Sequence, residues 1–353
     1  MKKSLFRNSI IILFTMLLAF PLHTSQAHAA DPIPEYMYFP FDIMNHWAYD
    51  ELDNFVNADL LRGYVDEYGD VNAKPNQSIS RAEFVSILVR ALGLTSNQDG
   101  TSFTDVPKGK WHYEPIRIAS SLGIVSGTSE TTFGPDQPVK RGEIASIIVR
   151  AFTSSIPFTG EIKSFTDVPD YYATPSIMKA SQVGIVHGAT ATTFKPFANA
   201  TRAEAVVMLQ RALDLQRSEL PEDSTLTKVI TDWTANNTKA MNDNTFDHLA
   251  SIDKQYATGY HLAYSASANA ELMDIVNEGA AFTAKILSEQ KLTVQHKTDR
   301  FAVIESTGGI MQITTKLHGA EVDAKQSMDG HYMLKKMPDN SWKIYMYAMT
   351  EQP

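Results

Sequence analysis

Arginine recurs at positions 81, 141 and 202, at separations of 60 and 61 residues, each time in the same local setting: Ser80-Arg81-Ala82-Glu83, Lys140-Arg141-Gly142-Glu143 and Thr201-Arg202-Ala203-Glu204. A guanidinium is a planar, permanently charged fork whose geometry matches a carboxylate. At the first turn of a helix it would add to unpaired N–H groups and a positive dipole end, both of which favour an anion. The competing use is an internal ion pair, with Asp42, Asp105 or Asp167 as candidate partners. An aromatic also recurs, as Trp47, Trp111 and Tyr172. Such rings pack against the C–H face of a sugar and carry a polar N–H or O–H handle, or else they fill a core. Gly63, Gly127 and Gly188, with Gly123 and Gly184 close by, permit a near approach of backbone to a ligand or simply turn the chain. The acidic loop Asp66-Glu67-Tyr68-Gly69-Asp70 lacks the D-x-D-x-D-G…E ladder of a calcium site and reads as solvated.

The elements that must hold these residues form three copies, over residues 40–95, 102–155 and 164–216. Each runs Phe-x-Asp, an aromatic, an amphipathic stretch ending near Gly63, Gly127 or Gly188, and then the arginine string leading to Val89-Arg90-Ala91-Leu92, Val149-Arg150-Ala151-Phe152 or Leu209-Gln210-Arg211-Ala212-Leu213. Leu52, Phe55 and Val56, or Ile116, Ala119 and Leu122, have helical spacing. Gly63, Gly127 and Gly188 read as the left-handed residue that ends that helix. Ser80 with Glu83, and Thr201 with Glu204, are capping boxes that start a second helix; Lys140 leaves the middle copy without a side-chain cap. Val85, Leu88, Val89 and Leu92 form one apolar stripe, as do Ile144, Ile147, Ile148 and Ala151. One helix pair cannot bury such a face alone, so an all-α, pseudo-threefold unit is expected.

The order Phe-x-Asp, Trp, Gly-Ile-Val-x-Gly, Phe-x-Pro, Thr-Arg-Ala-Glu closely resembles S-layer homology (SLH) domains, over roughly residues 40–215. The resemblance implies non-covalent anchoring of an exported protein to secondary cell-wall polysaccharide, commonly through pyruvylated sugars. It also implies grooves between neighbouring repeats, which carries Arg81, Arg141 and Arg202 over as binding residues, with Gly63, Gly127 and Gly188. A pyruvate ketal bears one carboxylate, so a protein of net negative charge can bind it through local arginines. The copies differ: copy one has Asp59 where the others have Gly123 and Gly184, copy two has Lys140 and Gly142, and copy three has Tyr172 for tryptophan. One or two working grooves are therefore expected.

Composition agrees with export. The 353 residues carry 40 acidic and 31 basic side chains, a formal charge of −9, which argues against nucleic acid as a partner. With no cysteine, disulfides, thiolate metal sites and cysteine nucleophiles are excluded. Lys2, Lys3 and Arg7, an apolar run from Ile10 to Phe20, and Ala27-His28-Ala29 read as a cleaved signal peptide over residues 1–29. That run falls short of the roughly 20 residues a membrane-spanning helix needs. No later segment reads as a span, so the mature chain is expected at the cell surface, on the wall.

From Leu220-Pro221-Glu222-Asp223-Ser224 the pattern changes, and residues 217–224 read as a linker to an α+β domain over 225–353. Residues 225–250 look helical, with Leu226, Val229, Ile230 and Trp233 on one face, and a broken helix covers about 268–286. Alternation then takes over at Leu292–His296, Met311–Leu317, Tyr332–Leu334 and Trp342–Met346, with turns at Gly308-Gly309 and Asp339-Asn340, as a curved antiparallel meander. The order resembles the nuclear-transport-factor-2-like cone, a fold that serves enzymes, ligand binders and dimerisation modules alike. His248, His261, His296, His318 and His331, with Asp247 and Asp253, are possible acid–base groups. No H-E-x-x-H, G-x-S-x-G, P-loop or dinucleotide motif is present, so no cofactor and no metal is expected. Tyr256, Tyr260 and Tyr264, four apart, read as packing on one helical face. The expected role of this domain is to bind a ligand or partner of unknown identity; the alternative is a wall-localised enzyme with its active site in the cone.

Overall fold

The structure, a computed structural model, describes residues 33–350; the expected signal peptide lies outside the described residues. Three helix pairs come first: α1 (Tyr49–Asn57) with α2 (Arg81–Leu92), α3 (Tyr113–Ser121) with α4 (Arg141–Phe152), and α5 (Thr174–Gln182) with α6 (Arg202–Leu215). The unit is not purely helical. A short antiparallel ribbon, β1 (Tyr64–Val65) and β2 (Val71–Asn72), lies in the long loop of the first copy.

The segments before α2, α4 and α6 meet in a closed triangle of backbone hydrogen bonds. Ile79 N–H donates to the Ala200 carbonyl, Ala200 to Val139 and Val139 back to Ile79, each at 3.0 Å. All three side chains are fully buried, so three weak apolar contributions combine into one core that no single copy could close. Val85, Leu88, Val89 and Leu92 of α2 and Ile144, Ile147 and Ile148 of α4 point into that core. Leu122 does not: it caps the end of α3 and is 45% exposed.

The first helix of each copy ends earlier than glycines 63, 127 and 188 suggest. The left-handed residues are Asp59 (φ 55°), Gly123 (φ 69°) and Gly184 (φ 77°). Aspartate is among the few non-glycine residues that tolerate this conformation, which is how copy one dispenses with the glycine. Gly127 has another function. A Cβ there would sit 2.3 Å from the Ser129 carbonyl oxygen and 2.7 Å from the Phe103 ring, so the missing side chain lets the following turn close against the Phe-x-Asp motif.

Beyond α6, residues 217–222 lead into α7 (Asp223–Asn242), α8 (Leu249–Tyr256) and α9 (Gly259–Asn277), followed by seven strands. These are β3 (Ala281–Ser288), β4 (Lys291–Lys297), β5 (Phe301–Thr307), β6 (Ile310–Leu317), β7 (Ala320–Ser327), β8 (Gly330–Lys336) and β9 (Trp342–Met349). They do not form one meander. Hydrogen bonding divides them into a three-stranded sheet, β3-β6-β7, and a four-stranded sheet, β4-β5-β8-β9, both antiparallel. Gly308-Gly309 carries the chain from one sheet to the other and closes no hairpin.

The helix expected over 268–286 is in fact the end of α9 followed by β3, where Phe282 and Ala284 alternate inward. Tyr256 belongs to α8; a break at Ala257 and Thr258 separates it from Tyr260 and Tyr264, which pack together on α9 with ring centroids 6.0 Å apart. Leu226 and Ile230 of α7 are fully buried against Ile304, Leu334 and Ile344 of the four-stranded sheet.

The two regions share a core. Tyr260, Ala263, Phe301, Met333 and Tyr345 belong to the same buried cluster as the repeat helices. The connection is pinned as well: Asp299 accepts from the N–H and hydroxyl of Ser218 (3.1 and 2.6 Å) and from the N–H of Glu219 (2.8 Å). Lys297 donates to the Pro221 carbonyl (2.8 Å) and to Asp223 (2.7 Å), so the segment read as a linker is held at both ends, and α7 starts inside its expected bounds.

Candidate functional site

The recurring aspartate of each repeat is used locally. Asp105 accepts from the N–H groups of Phe133 and Gly134 (2.8 and 2.7 Å), Asp167 from Phe194 and Lys195 (2.8 and 2.7 Å), and Asp42 from Ala73 and Lys74 (2.8 and 2.7 Å). Burial opposes ionisation of Asp105 and Asp167, yet these paired donors hold both below the usual carboxylate range. None of the three is the partner of the arginine.

The arginines pair instead with the glutamate of the next copy. Arg81 Nη1 donates to Glu143 Oε1 at 2.7 Å, Arg141 to Glu204 at 2.5 Å, and Arg202 to Glu83 at 2.8 Å, which closes the circuit. Each glutamate uses its other oxygen to accept the N–H of its own helix start, Lys140 (2.9 Å), Thr201 (3.0 Å) or Ser80 (2.9 Å). That bond also secures the start of α4, where lysine supplies no side-chain cap. The local strings assign Glu83 and Glu204 to caps and Glu143 to no cap; the bond of the other carboxylate oxygen to the next arginine is not visible in a local pattern.

The arginine side chains are 4–9% exposed, and their Nε atoms donate to carbonyls of Phe133 (3.0 Å), Phe194 (2.9 Å) and Ala73 (2.7 Å). The helix N–H groups are not free for an anion. Those of Arg81 and Ala82 go to Gln137 and Pro135, those of Arg141 and Gly142 to Ala198 and Pro196, and those of Arg202 and Ala203 to Gln77 and Pro75. The dipole end is spent on joining copies, so only guanidinium N–H groups are left to meet a ligand.

Three of the expected residues come together in one groove. A cavity of about 380 Å³ between the first two copies is lined by Arg81, Gly127, Thr128, Glu143, Arg150 and, from the third copy, Tyr172. Arg81 spends three donors on Glu143, Phe133 and Ser126, which leaves one N–H on each terminal nitrogen. Glu143 offsets the Arg81 charge; Arg150 adds a second cation. Partial burial of the hydroxyl end, then the nearby Glu143, raises the Tyr172 phenol above its ordinary range. Arg150 was legible only as part of the repeated Val-Arg-Ala string.

The aromatics are not core residues: Trp47, Trp111 and Tyr172 are 64%, 60% and 66% exposed. Gly188 shares the setting of Gly127, with a Cβ position 2.7 Å from the Phe165 ring, whereas Gly63 faces Val71 of the ribbon. The acidic loop is closed on itself, Asp66 accepting from Tyr68, Asp70 and Asn72, and no cluster suited to a metal occurs among the described residues.

The C-terminal region has its own cleft, about 510 Å³, lined by Thr231, Thr234, Thr238 and Asn242 of α7 and by Gln290 and Met328, with no histidine in its lining. The hydroxyls of Thr234 and Thr238 are buried there without a protein partner. Of the histidines, His261 is buried beside Trp233 (5.0 Å) and burial lowers it to about 4. Asp253 accepts from Trp233 (2.9 Å) and Asn269 (2.7 Å), so it is engaged in packing. His248 lies at the surface, 3.9 Å from Asp247.

Comparison with known proteins finds similarity in the second and third repeats. The S-layer homology domain matches residues 102–145 and 164–206. An amylopullulanase of Thermoanaerobacterium thermosulfurigenes is 28% identical over 49% of this chain and 9% of its own length. The surface-layer 125 kDa protein of Lysinibacillus sphaericus is 29% identical over 55% of this chain and 17% of its own, and a cellulosome-anchoring protein of Acetivibrio thermocellus 28% over 45% and 36%. The chain thus spans between 9% and 36% of these relatives. Among solved structures, the intermembrane space region of the chloroplast protein ARC6 aligns with 37% of this chain and 100% of its own at TM-score 0.29 and 17% identity. No helix among the described residues is long and apolar enough to cross a membrane.

Proposed function

We propose that this S-layer homology domain protein of the bacterial cell surface is held on the wall by its three repeats, which bind secondary cell-wall polysaccharide through pyruvate ketals. The observation that carries this reading is the groove in which Arg81, Gly127, Arg150 and Tyr172 meet. The two free N–H groups of Arg81 offer a carboxylate a fork already fixed in place by Glu143 and two carbonyls, so little side-chain entropy is lost on binding. Arg150 supplies the charge that Glu143 does not cancel. The exposed Tyr172 ring gives a sugar face something to stack on.

The C-terminal domain, in this reading, is carried to the wall to bind a ligand or partner. Support comes from its cleft, whose lining offers unpaired hydroxyls and no histidine–carboxylate pair.

The test is co-sedimentation of the full mature chain with purified wall sacculi, before and after chemical removal of the ketals. Binding that disappears with the ketals, and weakens in Tyr172→Ala, is the expected result. Binding indifferent to ketal removal overturns the carboxylate–arginine mechanism.

A further inference from the structure

The three Arg–Glu pairs share the glutamate bond and the Nε bond to a carbonyl but differ in what covers them. At Arg81 the residue after the groove glycine is Thr128, which lines the open cavity; at Arg141 it is Ala189, smaller still. At Arg202 the same position, after Gly63, is Tyr64. Its ring lies 5.0 Å from the Arg202 guanidinium on one side, and Lys74 Nζ approaches the ring at 4.5 Å. Its hydroxyl donates to Glu83 Oε1 and accepts from Arg202 Nη1 at 3.2 Å. Both hydrogens of that nitrogen are now taken, one by Tyr64 and one by Glu83; the corresponding nitrogens of Arg81 and Arg141 each bond a glutamate alone.

A second substitution explains why the tyrosine is accommodated. Arg81 and Arg141 lie over the fully buried rings of Phe133 and Phe194, at 4.6 and 4.9 Å. The residue in the same bonding position under Arg202 is Ala73, whose N–H goes to Asp42 and whose carbonyl takes Arg202 Nε. The first copy has lost the ring beneath the arginine and supplies one from the groove side. The β1–β2 ribbon, pairing Tyr64 with Asn72, fixes that ring in place.

From this we infer that the groove at Arg202 is closed by the protein's own Tyr64, and that Tyr64 confines saccharide binding to the grooves of Arg81 and Arg141. The inference rests on the wall-polysaccharide reading above and adds which grooves serve it. A phenol between the guanidinium and the glutamate occupies the donors that a ketal carboxylate would use, and its ring fills the space a Thr or Ala leaves open.

The experiment is calorimetric titration of the full mature chain with a methyl glycoside bearing a pyruvate ketal. Wild type is expected to take two equivalents, and Tyr64→Ala three. Tyr64→Thr, which installs the residue the second copy carries, is the companion should the alanine variant unfold; it is also expected to take three. Tyr64→Phe keeps the ring and is expected to stay at two. Three equivalents on wild type, or two on a folded Tyr64→Ala or Tyr64→Thr, overturns the closure while leaving the anchoring reading intact. No binding by any variant overturns the anchoring reading and the closure with it.

Discussion

Tyr345 of β9 donates its hydroxyl to Asn54 Oδ1 of α1 at 2.6 Å, across 291 residues of chain. Tyr345 is 3% exposed, so this bond sits in apolar surroundings where leaving either partner unsatisfied costs more than the bond itself gains. It joins the last strand of the C-terminal domain to the first helix of the first repeat. Lys335 reinforces it by donating to the Ala58 carbonyl at the end of the same helix.

A shared core of this kind makes the two regions one thermodynamic unit. Thermal unfolding of the mature chain is expected to be a single transition, with calorimetric and van't Hoff enthalpies in agreement. Tyr345→Phe should destabilise by about 1–3 kcal/mol through the unpaired Asn54. Differential scanning calorimetry checks both points, and two separated transitions would show independent domains.

The same interface should respond to pH. Burial, then the neighbouring Asp50, raises Asp53 from 3.8 to about 6, and burial lowers Lys335 from 10.5 to about 8. The folded state therefore holds the Asp53 proton more tightly than the unfolded chain does, and stability falls as pH rises from about 4 to 6. Lys335 is released from its proton earlier in the folded state, so its contribution rises between pH 8 and 10. Asp53→Asn should raise the unfolding free energy at pH 7.5 by on the order of 1 kcal/mol, and with it Tm, and should leave both little changed near pH 4. Melting curves across that range test it; an identical gain at both pH values would remove Asp53 as the source.

The Arg–Glu circuit couples folding to the site, which limits how alanine variants can be read. Arg81→Ala strips Glu143 of its cation and leaves the Phe133 and Ser126 carbonyls without their donor. Breaking such a buried pair costs about 3–5 kcal/mol. Urea unfolding of Arg81→Ala should show a loss of that size, whereas Tyr172→Ala, at an exposed position, should stay within about 0.5 kcal/mol of wild type. Equal losses would mean the circuit carries no structural load.

What the sequence disclosed and what it withheld divide along one physical line. Capping strings, apolar stripes and the recurrence of Arg81, Arg141 and Arg202 are local patterns with a fixed period, and helix pairs could be read from them. The second oxygen of Glu143 and the meeting of Tyr172 with Arg81 depend on how copies close around an axis, which no local period records. β5 and β7 give no alternating signal either, because β5 is buried along most of its length and β7 is exposed along most of its length. The division of the strands into two sheets likewise follows from long-range pairing, β3 with β6, that spacing does not encode.

The cyclic order of the copies makes the exposed aromatics inequivalent. The groove at Arg81 combines the arginine of the first copy, the glutamate of the second and the aromatic of the third, Tyr172. The other two pairs are Arg141–Glu204 and Arg202–Glu83, and the pseudo-threefold order of the copies assigns Trp47 to the first and Trp111 to the second by analogy with Tyr172. The last set is the one that Tyr64 covers. Loss of a stacking ring from an open groove removes roughly 1 kcal/mol or slightly more, a factor of about five to ten in affinity. Tyr172→Ala and Trp47→Ala should each weaken sacculus binding by about that factor, while Trp111→Ala should leave it unchanged although its ring is nearly as exposed. Binding isotherms of the three variants on sacculi, run beside their melting curves, separate the cases. A Trp111→Ala defect equal to that of Trp47→Ala would mean that the Arg202 groove takes saccharide with Tyr64 in place.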